Sequence, residues 1–407
     1  MIRLLWRSRK LPAYRQRLLE RFGFYPFKLK HCLWIHAVSV GESLAAIPLI
    51  KALIKDYPDL PVLVTTMTPT GAERINAALG DRIKHVYIPY DIPDAVSRFL
   101  NTMHPVIAII METELWPNLL AICHQKRIPI CLMNARLSEK SAAGYQRISS
   151  LTHRMMNEIT LIASHGENDA KRFIALSAPK ENVVVTGNIK FDLELPHDLA
   201  SKSLALRETL GKNRLIWIAA STHEGEEEII LLAHKKCYEK NKKALLLLVP
   251  RHPDRFDKVH HLCEQQGWVI KRRSKQETCD QNTSIYFGDT MGELLFMYSV
   301  SDIAFVGGSL IPRGGHNMLE PGALGKPILT GPHLFNFAEI SELFFKAHAL
   351  VKVTDADSLF KQLDFWMMNE AERHATGERA KAVVDANRGA LAKQLTLINK
   401  VMQSLHR

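Results

Sequence analysis

No apolar stretch in this sequence approaches the ~20 residues that a membrane-crossing helix needs. Arg3, Arg7 and Arg9 interrupt any apolar core near the start, so no secretory signal is read there. Six cysteines (Cys32, Cys123, Cys131, Cys237, Cys263 and Cys279) are scattered without a C-x-x-C pair, which argues against a disulfide framework or a zinc site and for reduced thiols. Glycine and proline, at 21 and 19 of 407 residues, are too few for a fibrous or disordered chain. Acid is scarce at one end only. Residues 1–30 carry Arg3, Arg7, Arg9, Lys10, Arg15, Arg17, Arg21, Lys28 and Lys30 against the single acid Glu20, a charge of +8 out of +11 for the whole chain. The remainder is close to balanced, which argues against a nucleic-acid protein with basic surface throughout.

What is present is alternation. Apolar runs at 32–38, 62–66, 85–88, 106–111, 130–133, 161–164 and 183–186 read as buried strands, and amphipathic stretches such as 44–55 and 115–125 lie between them. The segment 192–213 is polar and contains Pro196. Beyond it the rhythm restarts with strands at 216–219, 244–249, 268–270, 284–287, 303–306 and 327–329. Near-continuous apolar strands separated by helices predict parallel sheets covered on both faces. The division predicted is a Rossmann-like domain at 1–195, a linker at 196–212, a second Rossmann-like domain at 213–375 and a helical segment at 376–407. Ligands of such sheets bind beyond the carboxyl ends of the strands.

Polar residues concentrate at those ends. After the first strand come Ser39, Gly41 and Glu42, where Gly41 permits a tight turn and Glu42 opens a helix. A carboxylate so placed is either a general base or a partner of the helix dipole. Glu112 and Glu114 follow the fourth strand, with Thr113 able to cap the next helix. One of the two acids is structural. Lys190, after the last strand of the first half, is a cation for developing negative charge or a solvated linker lysine. In the second half Pro250, Arg251 and His252 follow a strand, Met291, Gly292 and Glu293 lie in a turn, and a loop runs from Gly307 to Pro321. Its glycines and the helix N-terminus behind it suit a phosphate, and Glu320 suits ribose hydroxyls. The spacing is not G-x-G-x-x-G, which counts against a dinucleotide cofactor. Asp355 and Asp357 read as a helix cap, adjacent His260 and His261 as divergent side chains, and 271–275 as a solvated basic loop. No metal is expected.

These motifs together resemble the 3-deoxy-D-manno-octulosonic acid (Kdo) transferases along nearly the full chain. The residues that carry the resemblance are Arg9 to Arg15 with Glu20 to Gly23, Ser39 to Glu42, Met111 to Asn118, Gly187 to Lys190, Pro250 to Pro253, Gly288 to Leu294 and Gly314 to Pro321. The resemblance implies an α/β GT-B glycosyltransferase fold, two Rossmann-like domains with parallel sheets facing across a cleft. It implies inverting transfer of Kdo from CMP-Kdo to a tetra-acylated lipid A precursor in lipopolysaccharide synthesis, with no cofactor or metal. Glu42 then matches the general base, and Glu112 and Lys190 match positions of transition-state stabilisation, which favours Glu112 over Glu114. Pro250, Arg251, Met291, Gly292, Glu293, Asn317, Met318, Leu319 and Glu320 match the CMP-contacting segments. A nucleotide-sugar epimerase on the same fold is the alternative. A pure binding module does not require carboxylates and glycine turns at strand ends. Family members commonly carry a hydrophobic anchor before the basic segment, and this chain starts at Met1 without one. The expected location is the cytoplasmic face of the bacterial inner membrane. The basic, leucine- and phenylalanine-bearing residues 1–30 would meet anionic lipid there, at ~1 kcal/mol per cation near the surface.

Overall fold

The computed structural model describes residues 12–405. They form two compact units, residues 12–192 with 387–405 and Leu193–Ala386. Arg3, Arg7, Arg9 and Lys10 lie outside the described residues.

The first unit is a seven-stranded parallel sheet of β1 (Cys32–His36), β2 (Val62–Thr66), β3 (Lys84–Tyr87), β4 (Pro105–Met111), β5 (Ile130–Ala135), β6 (Leu161–Ser164) and β7 (Val183–Val185). Its order is β3-β2-β1-β4-β5-β6-β7. Cys32 and Trp34 of β1 enter one core while Leu33 and Ile35 enter the other, so the strand is apolar up to its last residue, His36. Each such fully buried aliphatic or aromatic side chain contributes about 1.5–3 kcal/mol. The strand order reverses between β1 and β4, which leaves a crevice beyond their carboxyl ends.

Part of the basic start packs on the first unit. Arg21 is buried, donates to the Met67 carbonyl at 2.7 Å and stacks on the Tyr87 ring. Glu20 accepts the Tyr87 N–H at 2.7 Å and pairs with Arg17 at 2.6 Å. Tyr25 and Phe27 pack on the core, whereas Leu19 and Phe24 remain exposed.

The second unit holds β8 (Ile216–Thr222), β9 (Leu245–Pro250), β10 (Ile270–Arg272), β11 (Ile285–Phe287), β12 (Ile303–Val306), β13 (Ile328–Thr330) and β14 (Leu350–Lys352). The parallel order is β10-β11-β9-β8-β12-β13-β14, with β11 slotted inside β10 and the reversal between β8 and β12. Sequence reading missed β14, a three-residue edge strand ending in exposed Lys352.

Two segments differ from the expected division. Most of 196–212 is not a linker but the helix Leu199–Leu210, whose Leu206 and Leu210 join the second unit's core. The segment 376–407 is split. The helix Glu370–Ala386 stays with the second unit, and Ala390–Ser404 belongs to the first. There the Asp192 carboxylate accepts the N–H groups of Gly389 at 2.5 Å and Leu391 at 2.6 Å, and Ile398 and Met402 enter the core. An acid at a helix N-terminus satisfies orphan donors and complements the dipole. No helix among the described residues is long and apolar enough to cross a membrane.

Candidate functional site

In the first unit β1 runs out at His36, and Ser39 caps the helix Val40–Asp56. Glu42 completes a capping box. Its carboxylate accepts the Ser39 hydroxyl at 2.6 Å, the Val38 N–H at 2.7 Å and the Ser39 N–H at 3.2 Å. These three bonds fix the side chain and leave one site open on a group with about four lone-pair sites. Burial raises the Glu42 carboxyl, the hydrogen bonds from Ser39 and Val38 oppose this, and the charge of Glu112 adds to it. Gly41 does not make the tight turn expected of it. It lies within the helix's first turn, and an added Cβ would meet only the Ser39 hydroxyl, at 3.8 Å.

Beside it, β4 ends at Met111 and Glu112 turns into the left-handed region at φ 57°. A non-glycine residue held there costs about 1–3 kcal/mol and persists only where its surroundings enforce it. Here the Glu112 N–H donates to the Met133 carbonyl at 2.9 Å, and its carboxylate meets Lys190 Nζ at 2.9 Å and Arg136 Nε at 3.7 Å. Lys190 is therefore no solvated linker residue. Asn134, itself left-handed at φ 51°, accepts the Ile189 N–H at 2.9 Å, and Asn188 accepts the Lys190 N–H at 3.0 Å. Glu114 takes the Trp116 indole N–H at 2.8 Å. Burial, with the charges of Glu42 and Glu112 behind it, pushes the Glu114 carboxyl up to about 7. Thr113 does not cap the next helix. It donates to the Arg136 carbonyl, and the cap of Pro117–Gln125 comes from Asp91, which accepts the N–H groups of Leu119 at 2.8 Å and Asn118 at 3.0 Å.

The second unit places cations at the same end of its sheet. Arg251 follows β9, its N–H bonded to the Thr222 carbonyl at 3.0 Å. Among the described residues neither Arg251 nor Arg313 has a carboxylate within ion-pair distance, while Arg255 is bound bidentately by Glu227 at 2.7 and 3.2 Å. Ser221, the last residue but one of β8 and at φ 57°, lies so near Gly307 that a Cβ there would stand 2.6 Å from the Ser221 carbonyl oxygen. Only glycine fits.

The glycine loop departs from expectation. Its first amides are already occupied, because the fully buried Glu226 carboxylate accepts the N–H groups of Gly308 (2.7 Å), Leu310 (2.9 Å) and Ser309 (3.0 Å), as well as that of His223 (3.0 Å) outside the loop. The helix behind it, Leu319–Ala323, is short, and the Asn317 side chain takes the Leu319 N–H at 3.1 Å. Asn317 also donates to Glu320 at 3.1 Å, and burial raises that carboxyl. An anion placed there would meet side-chain cations and imidazoles rather than the amides of Gly308, Ser309 and Leu310.

The run 271–275 is not a solvated loop either. Arg272 pairs with the buried Asp289 at 2.7 Å, Ser274 donates to the same carboxylate, and Arg273 clasps Glu293 at 2.8 and 3.0 Å. These bonds shape the turn bearing Met291, Gly292 and Glu293. Asp355 caps the helix Ala356–Met368, as read. His260 and His261 do not diverge. Both reach Glu264, at 3.5 and 2.8 Å, the one His/Cys/Asp/Glu group among the described residues with metal-like spacing.

Comparison with known proteins agrees with this organisation. The family described as 3-Deoxy-D-manno-octulosonic-acid transferase (kdotransferase) matches residues 16–193, and Glycosyl transferases group 1 matches 213–383. A 3-deoxy-D-manno-octulosonic acid transferase of Haemophilus influenzae is 44% identical over 97% of this chain and 94% of its own. One of Bordetella pertussis is 34% identical over 91% of this chain and 87% of its own. The solved UDP-GlcNAc 2-epimerase of Neisseria meningitidis, 14% identical, superposes with a TM-score of 0.60 over 92% of this chain and all of that one, which is a likeness of GT-B-type fold alone. The sequence relatives and the paired parallel α/β units place this chain, a glycosyltransferase, in the 3-deoxy-D-manno-octulosonic acid transferase family.

Proposed function

We propose that the chain transfers Kdo with inversion from CMP-Kdo to a glucosamine hydroxyl of a tetra-acylated lipid A precursor, in lipopolysaccharide synthesis. The observation that carries this reading is the trio Glu42, Glu112 and Glu114 at the β1–β4 crevice, with Lys190 bound to Glu112. Glu42 accepts the proton of the attacking hydroxyl, because it is fixed by the capping box and its raised carboxyl makes it a better base. Glu112 and Lys190 form one unit in which the lysine offsets charge built up during transfer. The second unit takes the donor. Arg251 meets the phosphate, Glu320 and Asn317 the ribose, and Pro250, Met291, Gly292, Glu293, Met318 and Leu319 line the nucleotide. No metal is assigned a role. Exposed Leu19 and Phe24, with the exposed Lys28 and Lys30, favour an anionic membrane surface.

Incubation with CMP-Kdo and the acceptor lipid, read by mass spectrometry, tests the reading. A mass gain of one or more Kdo residues is expected, with the anomeric configuration inverted by NMR. Turnover of a nucleotide sugar without any acceptor would instead favour an epimerase.

A further inference from the structure

His223 directly follows β8, and His316 lies in the glycine loop beyond the adjacent β12. Their Nε2 atoms are 2.8 Å apart, with rings 11° from coplanar and centroids 5.0 Å apart. At that distance one nitrogen carries a hydrogen and the other presents a lone pair. A Cβ on Gly308 would stand 2.8 Å from His316 Nε2, so glycine is what admits the pair. His252 packs edge-on to His223 at 5.3 Å.

We propose that His223 and His316 form a phosphate-binding imidazole pair that takes up one proton as the cytidine nucleotide arrives and holds the phosphate with the added charge. The inference rests on the second unit taking the donor.

The surroundings explain why the proton is absent beforehand. Burial first, then His252, Arg313, Arg255 and Arg251, lower the His223 imidazole to about 4. Burial, then Arg251, His223 and His252, lower His316 to about 3. The carboxylates nearby are committed elsewhere, with Glu226 on backbone amides, Glu227 on Arg255 and Glu320 on Asn317. A cationic pocket without a free carboxylate keeps a neutral imidazole pair neutral, and a phosphate dianion reverses that preference. During transfer the donor's C–O bond breaks and its electron pair stays on the phosphate oxygen. The proton on the pair offsets that charge, while the acceptor hydroxyl's proton goes to Glu42.

Calorimetric titration with CMP at pH 7.5, where a phosphate monoester is largely dianionic, in two buffers of different ionisation enthalpy counts protons bound. The expected result is uptake of at least about 0.3 proton per CMP. Cytidine, which lacks the phosphate, is expected to bind without uptake, and His223→Gln and His316→Gln are each expected to abolish the CMP-linked uptake. CMP binding without uptake in the unaltered protein overturns the pair and leaves the donor reading standing. Absence of CMP binding overturns both. Equal uptake with cytidine, or uptake persisting in both variants, assigns the proton to another group and also overturns the pair.

Discussion

Each unit puts its polar residues beyond the strands where its sheet order reverses, yet the two sites carry opposite character. At β1–β4 the first unit gathers Glu42, Glu112 and Glu114 with one lysine. At β8–β12 the second gathers His223, His252 and His316 with Arg251, Arg255 and Arg313. One backbone plan thus carries a carboxylate cluster in one unit and a cationic, imidazole-bearing cluster in the other, the contrast on which the proposed proton acceptor and anion holder rest. The means differ too. The first unit fixes its carboxylate with helix-capping bonds, whereas the second fills its glycine loop with an internal carboxylate and leaves cations facing out.

The largest expected effect breaks the second unit's side of this contrast. Glu226→Ala leaves four buried N–H groups without their acceptor and is expected to cost about 3–5 kcal/mol, read as lower unfolding temperature and lost CMP binding. A variant with wild-type stability would mean that the loop does not depend on Glu226. Next comes the first unit's ion pair. Lys190→Ala is expected to lower kcat about 10²–10³-fold, and Glu112→Gln added to it should cost little more, since the two act together. Additive losses would separate them.

A smaller effect concerns Glu114. Its carboxyl is raised in the folded state, so the folded protein holds that proton more tightly than the unfolded chain. Stability is therefore lost as pH rises from the ordinary carboxyl value of 4.5 to about 7, and the penalty stays constant above that. Glu114→Gln removes the penalty. Its gain over the parent is expected to be near zero at pH 4 and on the order of 1–3 kcal/mol at pH 8, measured by denaturant unfolding. An equal difference at both pH values would refute the raised carboxyl. The smallest effect is Arg273→Ala, which frees Glu293 and should weaken CMP binding about tenfold, or 1.4 kcal/mol, with the first unit's chemistry intact.

How far the sequence reaches can be judged from particular elements. β2, β6 and β12 fall where the apolar runs lie, because burial on both faces leaves polar residues only at their carboxyl ends, Thr65 and Thr66 in β2 and Ser164 in β6. β14 is a half-exposed edge and carries no such signal. The helix Leu199–Leu210 was hidden by its polar composition and by Pro196 before it. Glu42, Glu112 and Lys190 were legible as residues at strand ends. The contact between Lys190 and Glu112 was not, because 78 residues separate them. His223 and Glu226 were missed altogether. The available signal for His223 was its place directly after the first strand of the second sheet. Glu226 left only a faint one, since its single local bond is to the His223 N–H and its other amides lie 82 to 84 residues away.

The division of labour is tested most directly by Glu42→Gln, with CMP affinity and Kdo transfer measured on one preparation. The expected result is CMP affinity within twofold of the parent and a transfer rate lowered about 10²–10⁴-fold. Turnover near that of the parent, or loss of CMP binding in step with loss of transfer, would contradict a proton acceptor housed in the first unit alone.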